Sequence, residues 1–489
     1  MNMSTQSQRL VALAALAALA AGCASTAHLK DAETHYYAGE YKAAAESARE
    51  KLADVETPEE RGTQALILDN LYAGSASFMA GDASASAEAF ESAAAGIAEQ
   101  DDSTFGSGYP TRTYDVSMAA NYKALALWAE GDIDGARIAF RITADAQERA
   151  DDRNAKAIRK AEDEAEKRKS DETEKSNSDA AANGGSADGL ISKFMDTVAS
   201  GDAQRQIDEY QAEYSTWSVY DNFQVPSTWF LDGVFSLANA EMASDLEHAS
   251  FAARKALGMA PSAPAKSIYD FAEARADGKI PPEGLDRVFV VVFENGLGPE
   301  IEERRFDIPI PYNGRVYMLS FALPKLVRRD PAYPKLTIRD GAVSLGDTLP
   351  VADLDRVAVR EFKSRLPGIV ASQVFEAVVK LAVQVAIVEA AKEKGGAQGA
   401  FLASLATSAI SSAVTGTDTR HWNLLPKELQ AFVWKKPKTK DREIEIWVPG
   451  GVQPLAKVAL PEKGLSVVYV KVPAPGLPPL VRLLGAQGQ

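Results

Sequence analysis

Hydrophobic and polar positions divide the chain into regions of different periodicity. Apolar side chains recur at the three- and four-residue spacing of helices through residues 23–150 and again through residues 190–280. Residues 151–189 lie between them. Residues 151–175 carry many charges of both signs, which predicts a solvated helical extension, and residues 176–189 are rich in Ser, Asn and Gly, which predicts a flexible linker. Residues 285–489 mix β-branched runs with one long apolar segment. The pattern predicts a multidomain protein, an N-terminal α-helical repeat followed by a C-terminal α+β domain.

The C-terminal region begins with its clearest strand. Residues 287–294 (RVFVVVFE) form a continuous β-branched and aromatic run, which is typical of a strand buried on both faces. Further strands are predicted at residues 302–309, 316–322, 336–340, 342–345, 424–434, 443–448 and 465–472. The last residues, 473–489, look irregular.

The long apolar segment, residues 369–391, predicts an amphipathic helix that packs on a sheet. Its polar residues Gln373, Glu376, Lys380 and Gln384 recur at helical spacing and form one stripe. A membrane-inserting hairpin with the uncharged residues 397–417 is the alternative, but charged residues in the stripe make insertion costly.

The N-terminal helices share a recurring turn. Gly39, Gly81 and Gly131 each end an aromatic-rich helix, precede Asp or Glu, and are followed five positions later by a small residue. Glycine there predicts a left-handed helix cap, and Gly135 is expected to tolerate alanine better than Gly131 tolerates valine. The pattern resembles the tetratricopeptide helix–turn–helix, with a weaker fourth copy at Asn239. The glycine spacings of 42 and 50 exceed the family's repeat, so a plain helical bundle stays the alternative.

Five aromatic side chains lie on the first helix of these pairs. They are Tyr36, Tyr37, Phe78, Tyr122 and Trp128. Tetratricopeptide-like arrays bind extended peptides in a concave groove that the first helices line. These residues are therefore the partner-binding candidates, with only one or two of them expected to be exposed and the others to belong to the core.

The N-terminus predicts export and lipidation. Arg9 precedes an apolar run at residues 10–21 that is too short to span a bilayer, so residues 1–22 are expected to be a signal peptide. Residues 20–23 (AAGC) resemble the lipobox of bacterial lipoproteins, in which the cysteine is acylated. Cys23 is therefore the expected lipidation site, with palmitate among its acyl chains. Ordinary signal cleavage and a buried thiol are the alternatives. Ala24 favours the outer membrane.

Charge narrows the class of partner. The net charge of −15 disfavours nucleic acid, although the C-terminal tail is basic. Lys435, Lys436, Lys438 and Lys440 form a basic patch that predicts contact with anionic lipid or wall polymer, or else a solvated loop. Because Cys23 is the only cysteine, no disulfide forms within one chain.

No catalytic, metal or cofactor motif stands out. The four histidines (His28, His35, His248 and His421) lack partners at metal-ligand spacing, and no nucleophile motif is present. The densest polar cluster, residues 416–422 (GTDTRHW), is expected to be a structural corner in which Asp418 pairs with Arg420 and Trp422 is buried.

These motifs together resemble an uncharacterised proteobacterial outer-membrane lipoprotein family with a tetratricopeptide-like N-terminal half. The resemblance runs through residues 289–296 and 418–426. It implies a domain architecture and a location in the cell envelope, but no biochemical activity. The expected function is that of a membrane-anchored periplasmic scaffold, which binds protein partners in a cell-envelope assembly. The alternatives are an enzyme that acts on cell-wall polymer and a structural subunit of an outer-membrane pore or secretion apparatus.

Overall fold

The protein is described by a computed structural model. It describes residues 27–55, 57–102, 109–182, 187–412, 416–435 and 443–485. The signal-like segment and Cys23 lie outside these residues.

The N-terminal half is helical. Its helices are α1 (Ala27–Tyr37), α2 (Tyr41–Ala48), α3 (Glu50–Ala53), α4 (Pro58–Arg61), α5 (Ile67–Met79), α6 (Ala83–Asp102), α7 (Thr113–Glu130), α8 (Ile133–Glu148), α9 (Ala150–Ala182), α10 (Asp188–Ser200), α11 (Asp202–Ala212), α12 (Pro226–Ala238), α13 (Ala243–Met259) and α14 (Ala263–Ala276). Short 3₁₀ turns occur at Gln64–Leu66 and Pro282–Leu285.

The C-terminal part mixes sheets with one long helical segment, α15 (Leu354–Ser412), whose helical backbone is interrupted at Gly396. Its strands are β1 (Val288–Asn295), β2 (Glu300–Tyr312), β3 (Arg315–Val327), β4 (Thr337–Asp340), β5 (Val343–Asp347), β6 (Leu349–Asp353), β7 (Glu428–Lys435), β8 (Glu443–Trp447), β9 (Ala456–Ala459), β10 (Ser466–Val472) and β11 (Leu480–Leu484). The helical half and the mixed C-terminal region match the coarse prediction from the sequence.

The five-stranded sheet, ordered β11-β10-β1-β7-β6, lies between two layers. One face, which includes Val290 and Val292, shares a hydrophobic core with the helical hairpins of the N-terminal half. The other face, which includes Val291, packs against a four-stranded sheet ordered β5-β4-β8-β9. Every residue of β1 is buried, which explains its unbroken apolar run.

A second core lies beside these layers. The two-stranded hairpin β2–β3 packs one face against α10, α11 and α15. The predicted amphipathic helix at residues 369–391 is part of α15, which begins earlier, at Leu354, and packs on β3 as expected. The charged helix α9 lies along α15, where Lys169 stands 5.5 Å from the centre of the Phe375 ring.

Three expectations about organisation differ from the structure. Residues 176–182, which were expected to belong to a flexible linker, are instead the helical end of α9, and α10 already begins at Asp188. Helices α10 and α11 join the core of β2–β3 rather than extending the hairpins. The composition change near residue 280 does not separate two cores, because the hairpins and the five-stranded sheet share one.

The predicted glycine turns have the expected backbone. Gly39, Gly81 and Gly131 adopt φ of 79°, 86° and 85°, in the left-handed region. At the α7–α8 turn, the Asp132 carboxylate then accepts a hydrogen bond of 2.9 Å from the backbone N–H of Gly135 and so caps α8. Asn239 differs: its φ of −116° is not left-handed, so the α12–α13 hairpin turns in another way.

We expect Gly131→Ala to lower the free energy of unfolding by about 1–2 kcal/mol, because alanine is strained at positive φ. Gly135 is not the tolerant control that the sequence suggested, since a Cβ there would collide with the Asp132 carboxylate. Gly258, in α13, is the better control because a Cβ there meets nothing within 4 Å. Thermal melts in which Gly258→Ala costs as much as Gly131→Ala would contradict the left-handed cap.

Within the described residues, no helix is both long and apolar enough to cross a membrane.

Candidate functional site

The inner face of the helical layer is covered by the chain's own sheet. Of the five partner-binding candidates, Tyr36, Phe78, Tyr122 and Trp128 are buried, and only Tyr37 is exposed, at 40%. The Phe78 ring lies 5.5 Å from that of Tyr469 on β10, centre to centre. This burial agrees with the expectation that only one or two of the five are exposed. The four buried side chains belong to the core and do not line an open groove, because the sheet occupies the surface that a peptide would use.

A buried ion pair joins the two layers. Glu294 on β1 and Lys471 on β10 are neighbours in the parallel register and are both about 1% exposed. Lys471 Nζ lies 3.1 Å from Glu294 Oε2, and the Tyr122 hydroxyl of α7 donates to the same oxygen at 2.6 Å. Burial lowers the pKa of Lys471, and the Glu294 carboxylate opposes that shift. The helical layer thus completes the hydrogen bonds of the sheet.

The C-terminal segment crosses the three glycine turns in order. Pro478 packs on Gly39, where a Cβ would come within 2.7 Å of its Cδ. Arg482, on β11, donates to the Gly81 carbonyl, and the Gly485 N–H donates to the Trp128 carbonyl at 3.3 Å. Residues 473–489, which were expected to be irregular, therefore contain strand β11, and this segment packs along the edge of the helical layer.

The cluster at residues 416–422 is a structural corner, as expected. Asp418 Oδ2 lies 2.6 Å from Arg420 Nη2, and Trp422 is buried with its indole N–H donating to Ser75 at 2.8 Å. Within the basic patch, Lys435 is exposed at the end of β7. Lys436, Lys438 and Lys440 lie outside the described residues.

A cavity of about 200 Å³ between α8, α12 and α13 brings together charged groups that the sequence did not single out. Its lining residues are Arg137, Phe140, Arg141, Asp232, Phe235, Ser236, Ser244, Asp245 and His248. Arg141 and Ser244 are exposed, so the cavity can be reached from solvent, while the buried Phe140 and Phe235 supply an apolar wall.

One side of the cavity is a histidine–aspartate pair. His248 Nε2 lies 2.9 Å from Asp232 Oδ2, and Ser236 donates to the other carboxylate oxygen at 3.2 Å. The hydrogen bond with the Asp232 carboxylate raises the pKa of His248, against the effect of burial. Burial raises the pKa of Asp232, opposed by the hydrogen bond from His248. In this pair the pKa of His248 is raised because the Asp232 carboxylate stabilises the imidazolium form.

The other side is an arginine–aspartate pair. Arg137 Nη1 lies 2.7 Å from Asp245 Oδ1, with the more exposed Glu241 at 3.9 Å. Burial raises the pKa of Asp245, but hydrogen bonds from the N–H groups of Glu241 and Met242 and from Arg137 outweigh it and leave the pKa lowered. Asp245 is therefore a firmly ionised partner that fixes Arg137 at the cavity.

Arg141 is the uncompensated cation of the site. Throughout the described chain, no carboxylate forms an ion pair with it. Arg137 and His248 are each matched by an aspartate, so the lining residues carry one surplus positive charge when His248 is protonated. Such a site suits an anion that carries one charge.

The cavity also holds the residue types of a hydrolytic triad. Ser244 stands one helical turn before His248, which Asp232 orients. In the described structure, however, Ser244 makes no hydrogen bond to the imidazole.

The sequence contained a signal for this pair. Positions 232 and 248 are equally far from residue 240, at the centre of the α12–α13 turn, so they face each other across the hairpin. That inference requires a hairpin centred on residues 239–242, whereas the repeat pattern placed the turn at Asn239 alone. Among the described residues, no group of three or more His, Cys, Asp or Glu is arranged to hold a metal ion.

Comparison with protein-family models, curated proteins and solved structures finds no match to this chain. The resemblance to outer-membrane lipoproteins therefore rests on the motifs quoted above. The functional proposal draws on those motifs and on the geometry of the cavity.

Proposed function

We propose that the protein is a lipid-anchored lipoprotein of the bacterial outer membrane that faces the periplasm and holds a protein partner in a cell-envelope assembly. The lipobox-like residues 20–23 support the anchor at Cys23. The helical hairpins are proposed to be tetratricopeptide-like, with their inner face dedicated to the sheet. The basic segment that begins at Lys435 is proposed to contact anionic lipid or wall polymer.

Three exposed apolar side chains close in sequence to residues that line the cavity support the scaffold role. Ile138, Ile142 and Met242 are among the large apolar side chains most exposed to solvent. Ile138 and Ile142 adjoin the lining residues Arg137 and Arg141 on α8, and Met242 caps α13 two residues before Ser244. Exposed apolar side chains on the same helices as a charged cavity support a protein-binding surface there.

Site-specific crosslinking in intact envelopes tests this role. A photoreactive residue at position 242 is expected to give a discrete adduct with an envelope protein. The same residue in place of Val452, which is 97% exposed in the β8–β9 connection, is the control and is expected to give none. Equal adducts from both positions, or no adduct from position 242, would contradict the scaffold role.

The anchor has its own test. Cys23→Ser is expected to abolish incorporation of labelled palmitate and to move the protein from the membrane to the soluble periplasmic fraction, because the acyl chains supply the attachment. Alanine in place of Ser25 leaves the cysteine intact and serves as the control. A Cys23→Ser protein that still sediments with membranes in detergent-free fractions would exclude acylation as the anchor.

A structural subunit of an outer-membrane pore or secretion apparatus is the second candidate, favoured by the tip of β2–β3. Val316 and Met318 are exposed there and pair with the exposed Pro311 and Pro309 across the hairpin. The result is an apolar patch on the face turned away from the second core. If this patch joins copies or subunits, Met318→Glu should remove the protein from large complexes on native gels without lowering its melting temperature.

A further inference from the structure

We infer that the cavity between α8, α12 and α13 binds the free carboxylate at the end of a partner peptide. Arg141 and His248 hold that carboxylate, and an apolar terminal side chain lies against Phe140 and Phe235. The inference rests on the proposed scaffold function and specifies its chemistry.

Charge selects a carboxylate among anions. Among the residues that line the cavity, Arg137 is matched by Asp245 and His248 by Asp232, which leaves Arg141 as the single unmatched charge; the exposed Glu241, outside the lining, lies 3.9 Å from Arg137. A carboxylate brings one negative charge and neutralises it. A phosphate dianion would leave net negative charge beside two buried aspartates, and that arrangement is unfavourable.

Arg141 and His248 both have N–H groups that can donate hydrogen bonds to a ligand carboxylate. Arg141 offers the planar guanidinium fork that matches a carboxylate. Protonated His248 donates from Nε2 to Asp232, and among the described residues nothing bonds its Nδ1. A ligand carboxylate therefore replaces water at both groups without breaking a contact that the protein already makes.

Size and surroundings favour a peptide terminus over a small free acid. A cavity of about 200 Å³ holds roughly one residue, and two buried phenylalanines form its apolar wall. Ile138, Ile142 and Met242, which lie one or two positions from lining residues in the sequence, are exposed and offer further apolar surface to a longer ligand. A chain that continues out of the cavity covers these side chains.

Protonation of His248 gives the site a pH dependence. The groups that face His248 are Asp232 from α12, Asp245 from its own helix α13, and Arg137 and Arg141 from α8. Binding is strongest between the pKa of the ligand carboxylate, about 3.5, and the raised pKa of His248. It weakens as the pH rises through the latter, and His248→Gln removes that dependence.

The test uses the mature full-length chain and two probes, acetyl-alanyl-leucine and its C-terminal amide, followed by imidazole NMR. The chain has four histidines, and His248→Gln identifies the resonance of interest. The acid is expected to shift that resonance and the amide to leave it unchanged. Arg141→Gln should weaken binding about tenfold or more, whereas Arg149→Gln, at an exposed arginine after the same helix, should not.

Three outcomes overturn the inference: equal binding of acid and amide, unchanged affinity in Arg141→Gln, or a tighter complex with inorganic phosphate. An acetylated octapeptide ending in leucine is expected to bind more tightly than the dipeptide, and equal affinity would contradict the peptide terminus. Failure of the scaffold role gives a different result: the acid binds, but a photoreactive residue at position 242 yields no crosslink. If instead a crosslink from position 242 persists in the Arg141→Gln variant, the scaffold role stands and only carboxylate binding is refuted.

Discussion

Lys471→Met is expected to lower the free energy of unfolding by about 3–5 kcal/mol, because it leaves the Glu294 carboxylate in the core without its cation. Both side chains are about 1% exposed, so water cannot replace the lost partner. Urea denaturation followed by circular dichroism measures the change. We expect the midpoint to fall with little change in slope.

The matched control removes both charges. Glu294→Leu combined with Lys471→Met is expected to recover most of the loss, because it takes away the desolvated carboxylate together with the ammonium. The exposed pair Lys266–Asp270 provides a second control, and Lys266→Met there should cost less than about 1 kcal/mol. If Lys471→Met costs no more than Lys266→Met, the ion pair is not desolvated by the helical layer.

Phe78→Ala is expected to lower the free energy of unfolding by about 3–5 kcal/mol, because it opens a cavity where the helical layer meets the sheet. The Phe78 ring lies 5.9 Å from Tyr122 and 5.5 Å from Tyr469, centre to centre. Tyr37→Ala is the control, since Tyr37 is exposed and its hydroxyl accepts a hydrogen bond from Arg329. It should cost about 1 kcal/mol or less.

Comparing Phe78→Ala with Tyr37→Ala shows whether Phe78 belongs to the core or lines an open groove. If Phe78 lined an open groove, Phe78→Ala would reduce partner recovery and leave the melting temperature near that of the wild type. The structure leads to the opposite expectation, a lower melting temperature for Phe78→Ala and a nearly unchanged one for Tyr37→Ala.

Local sequence patterns were sufficient to predict strand β1 and the three glycine turns. Strand β1 was evident because it is covered on both faces, and the left-handed turns were evident because only glycine adopts that backbone freely. Strand β6 was missed because it contains Pro350, where its pairing with β7 is irregular. Strand β11 was missed because it follows a Pro- and Gly-rich segment and owes its position to β10 and the glycine turns.

Tertiary partners were beyond the reach of the sequence. Aromatic residues on the inner side of a helical hairpin have the same spacing whether they line a groove or pack on a sheet, so Phe78 and Trp128 could not be assigned from periodicity. The cavity depends on the packing of α8 against the α12–α13 hairpin, which is distant from it in sequence. Its pair Asp232 and His248 could be found only once the centre of the α12–α13 turn was known.

The sheet occupies the inner face of the helical layer, and we propose that recognition occurs at the cavity between α8, α12 and α13 instead. Native-state hydrogen exchange in increasing denaturant tests whether the helical layer and the sheet share one core. Amides of α5 and α7 should lose protection together with those of β1 and β10, with one common free energy, because they share a core. Helices that keep their protection after the sheet has opened would show an independent repeat domain with a free groove, which contradicts the account.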